Sequence, residues 1–468
     1  AMAARDTVTD WVPKGSADTV TRSVESLMKA NDRFGDGSVS KDDIKDVVRS
    51  SFRYMKEVED RITYEWKTMP PALPKMTDDD FAALKAECAK GWKTRLGNEV
   101  FGYKPTDLAP YKDRLAHELQ LIKSKNFSAY FLLVAKITKW CSENGIRVGP
   151  ARGSAGGSLV AYLTGITQVD PIRFNLLFER FINPARHDLP DIDLDFMSSR
   201  REEVIKFVED EFGKDYVAGV SNYTKLLGAG ALSDVSKRMG VENVPAFGSW
   251  FEKEHGVSET LSEAMESSPQ LERFSKQHPE ETRHALALEG TLRSYGKHAA
   301  GVIVAGVPIS ERGVVERRSG SSVVCWDKRS CEEFGLIKLD VLGLSNLDMI
   351  DIACNHIKRR TGKTIDLFDI PLNDEKVLKK FGEGRTVGVF QFASAMMRNI
   401  LKDMYKSGSI SFDDLCAATA LGRPGPLDAG MVEDYIQRKN GEKPVSYPHY
   451  AAEKPMKETY GVLCYQET

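Results

Sequence analysis

Three aspartates alternate with apolar residues in residues 189–196, whose sequence is LPDIDLDF. In a strand, Asp191, Asp193 and Asp195 lie on one face and the apolar side chains lie on the other. Carboxylates placed so close together repel one another unless a cation or a buried partner neutralises them, and aspartate is a poor strand former. The pattern therefore predicts a site for Mg²⁺ or Mn²⁺, hard cations that in pairs can clamp an in-line phosphoryl transfer. A solvated edge strand is the alternative.

A second apolar segment carries one basic and one acidic residue. Residues 334–344 read FGLIKLDVLGL, so that Lys338 and Asp340 share one face of a predicted strand. A charge in such a strand is costly unless it is paired or has a function. The segment predicts either a functional carboxylate or a structural Lys–Asp network.

A glycine-rich turn joins a short strand to an apolar helix in residues 148–162, VGPARGSAGGSLVAY. Glycines let the backbone approach a phosphate, and the helix N-terminus offers free N–H groups and a positive dipole end. Arg152 adds a guanidinium that can hold phosphate oxygens at two points. A tight turn with small residues for packing explains the segment equally well. It is not a Walker A loop, because no Gly-Lys-Ser/Thr ends it.

Two further residues stand in turns. Arg423 lies in the rigid turn LGRPGPL of residues 421–427, where it is predicted to face phosphate. His298 lies beside a glycine-containing turn that leads into a strand. A lone histidine is more often a packing or hydrogen-bonding residue than a catalyst, so no proton-transfer role is predicted for it.

The elements that position these residues change character along the chain. Residues 1–68 read as charged helix and end at a proline-rich break, and a second helical region follows. Its strongest segment is residues 126–144, with Gly145 at the position of a C-terminal cap. Short apolar strands then alternate with helices, which predicts a mixed α/β (α+β) domain. The predicted strands are residues 146–148, 192–196, 301–305 and 336–341, and residues 241–292 read as a helical insertion.

Composition bounds the class of protein without naming a function. The chain has 468 residues, 41% hydrophobic and 28% charged, which predicts a globular protein of two to four domains. Seven cysteines without a Cys-x-x-Cys pair argue against a structural zinc site and fit a reducing cytoplasm. No apolar run approaches the ~20 residues that cross a bilayer. A net charge of −3 does not by itself indicate a nucleic-acid binder.

In this order, the segments resemble the alpha subunit of bacterial DNA polymerase III, a C-family replicative polymerase. The resemblance runs from about residue 77 to residue 468. Its motifs are residues 127–134, 148–162, 178–184, 190–196, 298–304, 335–344, 389–391, 423–427 and 460–467. Each motif alone is moderately specific, but their order is very improbable by chance.

The resemblance implies a palm related to the polymerase-beta-like nucleotidyltransferases. In that palm Asp193, Asp195 and Asp340 would be the catalytic carboxylates and would hold two Mg²⁺ ions, with Mn²⁺ as an alternative. Gly153 and Ser154 would receive the incoming triphosphate. The residues that would neutralise phosphate charge are Arg152, Lys338 and Arg423.

The resemblance also implies a domain order. Residues 1–74 would be a helical remnant of the region after a PHP domain, and residues 75–145 a thumb. Residues 146–380 would be the palm, and residues 381–468 the rest of the palm and the start of the fingers. The implied activity is DNA-directed DNA polymerase in a bacterial cytoplasm. The implied partners are primer–template DNA, deoxynucleoside triphosphates, and a further polymerase segment or replisome subunits, with no membrane.

Departures from the family pattern leave a second hypothesis open. The chain has no His-x-His motif, and Ala151 and Ala393 stand where glycine and glutamate are common. These features suggest a divergent, truncated member, as from a phage. The alternative is a catalytically silent, polymerase-derived module that binds DNA or protein.

Overall fold

The computed structural model describes residues 40–61, 67–100, 103–185, 190–254, 257–318 and 320–468. Most of the predicted N-terminal helical region, residues 1–39 and 62–66, therefore lies outside the described residues. The first helices are α1 (Lys41–Arg61), α2 (Asp80–Arg95), α3 (Ala109–Ser124), α4 (Ser128–Glu143), α5 (Leu159–Leu163) and α6 (Arg201–Phe212). The next are α7 (Gly228–Met239), α8 (Leu261–Ser267), α9 (Pro269–Gln277), α10 (Pro279–Leu288) and α11 (Lys328–Glu333). The last are α12 (Ser345–Thr361), α13 (Glu375–Gly382), α14 (Ala395–Met404), α15 (Phe412–Leu421), α16 (Pro424–Asp428), α17 (Met431–Lys439) and α18 (Glu453–Met456). Within the described residues, none of these helices is both long and apolar enough to cross a bilayer.

A six-stranded mixed sheet forms the centre of the fold. The strands are β1 (Asp193–Met197), β2 (Val217–Lys225), β3 (Lys253–Glu254), β4 (Val257–Ser258), β5 (Leu292–Val304), β6 (Val315–Arg318), β7 (Ser321–Val324) and β8 (Ile337–Leu344). The sheet order is β1-β8-β5-β2-β7-β6, and β3 pairs only with β4. β1 runs parallel to β8, and β8 runs antiparallel to β5. The mixed α/β class is thus confirmed, with β1 and β8 side by side at one edge.

The strand predicted at residues 146–148 is reduced to a short pairing beside β1. Val148 forms an isolated antiparallel bridge with Phe196, and the Gly149 N–H donates to the Asp195 carbonyl at 2.7 Å. Pro150 follows and has no N–H, so it cannot extend the pairing. The segment nevertheless brings the glycine-rich turn against the aspartate strand.

The helices before the sheet share its hydrophobic core. α4 ends at Glu143 and Gly145 adopts a φ of +66°, so the predicted helix and its glycine stop are confirmed. Eleven of the sixteen residues of α4 are buried, which makes it a central helix and not a surface one. The cluster that joins these helices to the sheet includes Leu84, Phe131, Tyr162, Phe196 and Val341. The helices α2, α3 and α4 therefore share one hydrophobic core with β1 and β8.

Two other regions have hydrophobic cores of their own. The helical insertion packs around Leu232, Phe247 and Phe274, so it includes α7 and begins near Gly228, earlier than the predicted residue 241. The glycines at the start of α7 concealed this boundary in the sequence. A separate C-terminal cluster, which includes Leu401 and Tyr435, joins α14, α15 and α17.

Gly91 tests the packing of α2 against α5. A Cβ on this buried helical glycine would lie 1.9 Å from the Leu163 carbonyl oxygen, so Gly91→Ala must push the two helices apart. We expect a loss of about 1–3 kcal/mol or more, seen as a lower midpoint of thermal unfolding. Gly230 in α7 is the matched control, because a Cβ there meets nothing within 4 Å. Gly230→Ala should be neutral or stabilising by up to about 1 kcal/mol, and equal losses in both variants would contradict the packing described.

Candidate functional site

Asp193 and Asp340 meet at the sheet edge because β1 and β8 pair in parallel. The register places Asp193 directly beside Asp340. The alternation predicted from the sequence holds in β1, where the intervening Leu194 and Phe196 are buried in the core. With their apolar neighbours fixed in the core, both carboxylates are held on the opposite face.

Asp191 joins these two carboxylates in a cluster that fits a metal ion. Asp191, Asp193 and Asp340 each offer one carboxylate oxygen, and these oxygens lie within 4.8 Å of one another. Oδ2 of Asp340 accepts a hydrogen bond from Nζ of Lys338 at 2.6 Å, whereas Oδ1 is buried without a partner among the described residues. A buried carboxylate oxygen without a donor is costly, and a divalent cation would satisfy it. The donor set, all hard oxygen, therefore fits Mg²⁺ or Mn²⁺.

The pKa of one member of the acidic cluster, Asp193, is raised above its usual value. Burial raises the pKa of Asp193, and the negative charges of Asp191 and Asp340 raise it further. The positive charges of Arg152 and Lys338 oppose this rise. Crowding three carboxylates at one point thus costs free energy that a bound cation would recover.

Asp195 lies two residues after Asp193 in β1 and pairs with a basic side chain instead of joining the cluster. Its side chain is 10% exposed, and Oδ1 accepts a hydrogen bond from Arg152 at 3.0 Å. Arg152 also lies 3.7 Å from Oδ2 of Asp193. The structure therefore groups Asp191 with Asp193 and Asp340, and it pairs Asp195 with the arginine that the sequence assigned to phosphate. The sequence put Asp191, Asp193 and Asp195 on one face but could not tell which of them Arg152 would reach.

Lys328 was missed by the sequence reasoning. It is the first residue of α11, and its Nζ lies 3.6 Å from Oδ2 of Asp191. Together with Arg152 and Lys338 it surrounds the carboxylates with positive charge. No local signal could have identified it, because α11 reaches the cluster only through the tertiary fold.

The glycine-rich turn reaches the cluster through Gly153. This residue adopts a φ of +62°, which favours glycine, and a Cβ on it would lie 3.5 Å from Oδ2 of Asp193. Ser154 follows in the 3₁₀ turn Gly153–Gly157 and is partly buried. The predicted juxtaposition of the turn with the aspartates is thus present.

An acidic side chain occupies the helix N-terminus after this turn, for which the sequence left phosphate binding and packing equally open. The N–H groups of Leu159 and Val160 both donate to the carboxylate of Glu118 at 2.9 Å, and so does the Ser158 hydroxyl. Glu118 is fully buried and already supplies the anion that such a terminus favours. Any phosphate contact must therefore come from the turn itself.

Of the other predicted residues, the structure brings Lys338 to the cluster but not Arg423. Arg423 is exposed at the start of α16, and within the described residues no hydrogen bond or ion pair joins it to the carboxylates. Its predicted phosphate contact remains a prediction.

Comparison with known protein families shows which family this chain belongs to. The model for the bacterial DNA polymerase III alpha NTPase domain matches residues 82–343, more than half of the chain. The chain belongs to the bacterial DNA polymerase III alpha subunit family. The resemblance seen in the sequence motifs is thereby confirmed. The finger-domain model of the same family matches residues 346–468. The carboxylate cluster and the glycine-rich turn lie within the first match, and Arg423 lies within the second.

DNA polymerase III alpha subunits of several different bacteria are similar in sequence to this chain. The DNA polymerase III subunit alpha of Yersinia pestis is 46% identical over 411 residues, which cover 86% of this chain and 35% of the relative. That of Aquifex aeolicus is 41% identical over 390 residues, covering 77% and 33% respectively. That of Campylobacter jejuni is 39% identical over 399 residues, covering 83% and 32%. The chain therefore spans about a third of the length of these DNA polymerase III alpha subunits.

Proposed function

We propose that this chain carries the nucleotidyl-transfer site of a DNA-directed DNA polymerase. The observation that carries the proposal is the pairing of Asp193 with Asp340, where one buried carboxylate oxygen has no partner among the described residues. Membership in the DNA polymerase III alpha family supports the same activity. The substrates would be primer–template DNA and deoxynucleoside triphosphates, and the protein would work in the bacterial cytoplasm with other polymerase segments or replisome subunits. The sheet would be a polymerase-beta-like palm, and residues 75–145 would act as the thumb.

The metal ligands in this proposal are Asp193, Asp195 and Asp340, with Asp191 as a further candidate from the structure. When bound, two Mg²⁺ ions would lower the pKa of the primer hydroxyl and stabilise the leaving pyrophosphate oxygens. An ion that binds Oδ1 of Asp195 would displace Arg152 from that oxygen. The released guanidinium would then be free to hold a phosphate oxygen beside Gly153 and Ser154.

Lys338 would have two tasks on the same face. Its side chain is 8% exposed, and its ammonium group donates to Asp340 and supplies the counter-charge of that carboxylate. Next to a bound nucleotide it would also neutralise phosphate charge. Arg423 would contribute from the finger region.

Primer extension by the purified protein, alone and with the further polymerase segment supplied in trans, tests this function. We expect incorporation of deoxynucleotides on a primer–template that depends on Mg²⁺, that Mn²⁺ also supports, and that EDTA abolishes. The readout is the length of a labelled primer. Metal-dependent binding of DNA and nucleotide with no extension under any condition would favour the silent-module alternative instead.

Asp191→Asn and Asp195→Asn distinguish the two ligand sets. We expect Asp195→Asn to lower the extension rate by ~10³-fold, because its carboxylate is buried beside Asp193 and would contact an ion directly. Asp191→Asn should cost only about 10–100-fold, because Asp191 is exposed and paired with Lys328. Single-turnover rates at saturating Mg²⁺ measure both. The reverse ranking would make Asp191 the third ligand and leave Asp195 as the counter-charge of Arg152.

A further inference from the structure

The imidazole of His298 is fixed by the backbone that follows it. Its Nδ1 accepts hydrogen bonds from the N–H of Gly301 at 2.8 Å and from the N–H of Ala300 at 3.3 Å. A ring nitrogen that accepts carries no proton, so the proton of the neutral ring lies on Nε2. His298 is partly buried. In the described chain its Nε2 has no hydrogen-bond partner and is not among the buried polar atoms. The ring thus presents one oriented N–H donor without an acceptor.

This donor lies on the face of the sheet that carries the acidic cluster. Gly301 is the register partner of Asp340 on β5. A Cβ on Gly301 would lie 3.1 Å from Nδ1 of His298 and 3.0 Å from Cε of Lys338. The imidazole and the lysine side chain therefore share the space above one glycine, and the lysine ends on Asp340.

We propose that His298 is a neutral hydrogen-bond donor to a phosphate oxygen of the bound nucleotide. The inference rests on the proposed function, since it assumes that a triphosphate occupies the face of Lys338 and Asp340. An anionic oxygen is the acceptor that suits a fixed N–H beside an ammonium group. Protonation of Nδ1 would set one N–H against the two backbone N–H groups. The geometry therefore assigns the ring a hydrogen-bond donor role through Nε2.

Asparagine and glutamine at this position separate the two ring nitrogens. In His298→Asn, Oδ1 takes the place of Nδ1 and can still accept from Gly301, but the donor at Nε2 is lost. In His298→Gln, the amide N–H reaches towards the lost Nε2 position. We expect His298→Asn to raise KM for the deoxynucleoside triphosphate by about 10-fold or more, the effect of one hydrogen bond to a charged acceptor. Its kcat should change by less than about threefold, and His298→Gln should recover part of the KM.

A spectroscopic arm keeps this inference separate from polymerase activity. In protein labelled with ¹⁵N-histidine, we expect an unprotonated Nδ1 and a protonated Nε2, and a shift of the Nε2 resonance when inorganic tripolyphosphate and Mg²⁺ are added. No extension by the wild-type protein, even with the further polymerase segment supplied in trans, would refute the proposed function, and the resonance shift would still test the donor. Wild-type KM in His298→Asn, a loss confined to kcat, a protonated Nδ1, or an unmoved Nε2 resonance would each overturn the inference while leaving the polymerase assignment intact.

Discussion

Asp193→Asn and Asp340→Asn are each expected to lower metal-dependent nucleotidyl transfer by ~10³-fold or more. Both carboxylates belong to the oxygen cluster, and they are register partners on adjacent strands, so neither can be replaced by a neighbour on its own strand. An amide keeps the shape of the side chain but removes the negative charge that binds a divalent ion. Single-turnover primer extension measures the loss, and calorimetric titration with Mn²⁺ measures the lost metal affinity.

The two variants should differ in stability without metal. Asp193→Asn removes one of several crowded negative charges, so its midpoint of thermal unfolding should stay equal or rise. Asp340→Asn also removes the counter-charge of Lys338, whose side chain is only 8% exposed, so its midpoint should fall. We expect Mg²⁺ to raise the unfolding midpoint of the wild type, and this effect should disappear in both variants. Asp210→Asn on the exposed face of α6 is the control and should behave as wild type. Full extension activity in either cluster variant would refute the site.

Glu118→Ala is expected to destabilise the protein by about 3–5 kcal/mol. The buried carboxylate accepts hydrogen bonds from Arg114 at 2.8 Å, from the Ser158 hydroxyl, and from two backbone N–H groups at the start of α5. Its removal leaves a largely buried guanidinium without its counter-charge and two helix N–H groups without an acceptor. Thermal unfolding followed by circular dichroism gives the change in midpoint.

The same substitution should disturb the glycine-rich turn. Arg114, which Glu118 holds, also donates to the carbonyl of Gly157 at 2.7 Å and to that of Leu176 at 2.9 Å. We therefore expect a raised KM for the nucleotide at temperatures where Glu118→Ala is still folded. Asp113→Ala, an exposed change on the same helix, should stay within about 0.5 kcal/mol of wild type. If Glu118→Ala were as stable as this control, the hydrogen bonds of the carboxylate would not stabilise the start of α5.

Much of the local structure followed from the sequence alone. Alternation of aspartate with apolar residues predicted β1 and its two faces, and helical spacing with Gly145 predicted α4 and its end. These features depend on the backbone period and on residues close in the chain, so they can be predicted without knowledge of the tertiary fold. The insertion boundary at Gly228 could not be predicted, because the glycines at this point are typical of a turn. Only the packing of α10 against α7 shows that they begin a helix of the insertion.

The sequence by itself determined the family, the mixed α/β class and the presence of carboxylates suited to a divalent cation. Only the tertiary structure decided which charges meet. It placed Asp340 beside Asp193, paired Arg152 with Asp195, and brought Lys328 to Asp191. It also placed Glu118 at the N-terminus of α5, where the sequence left phosphate binding and packing equally open. The physical reason is the same in each case. A charged side chain or a free N–H group can pair with any complementary group, and the packing of distant segments decides which group lies next to it.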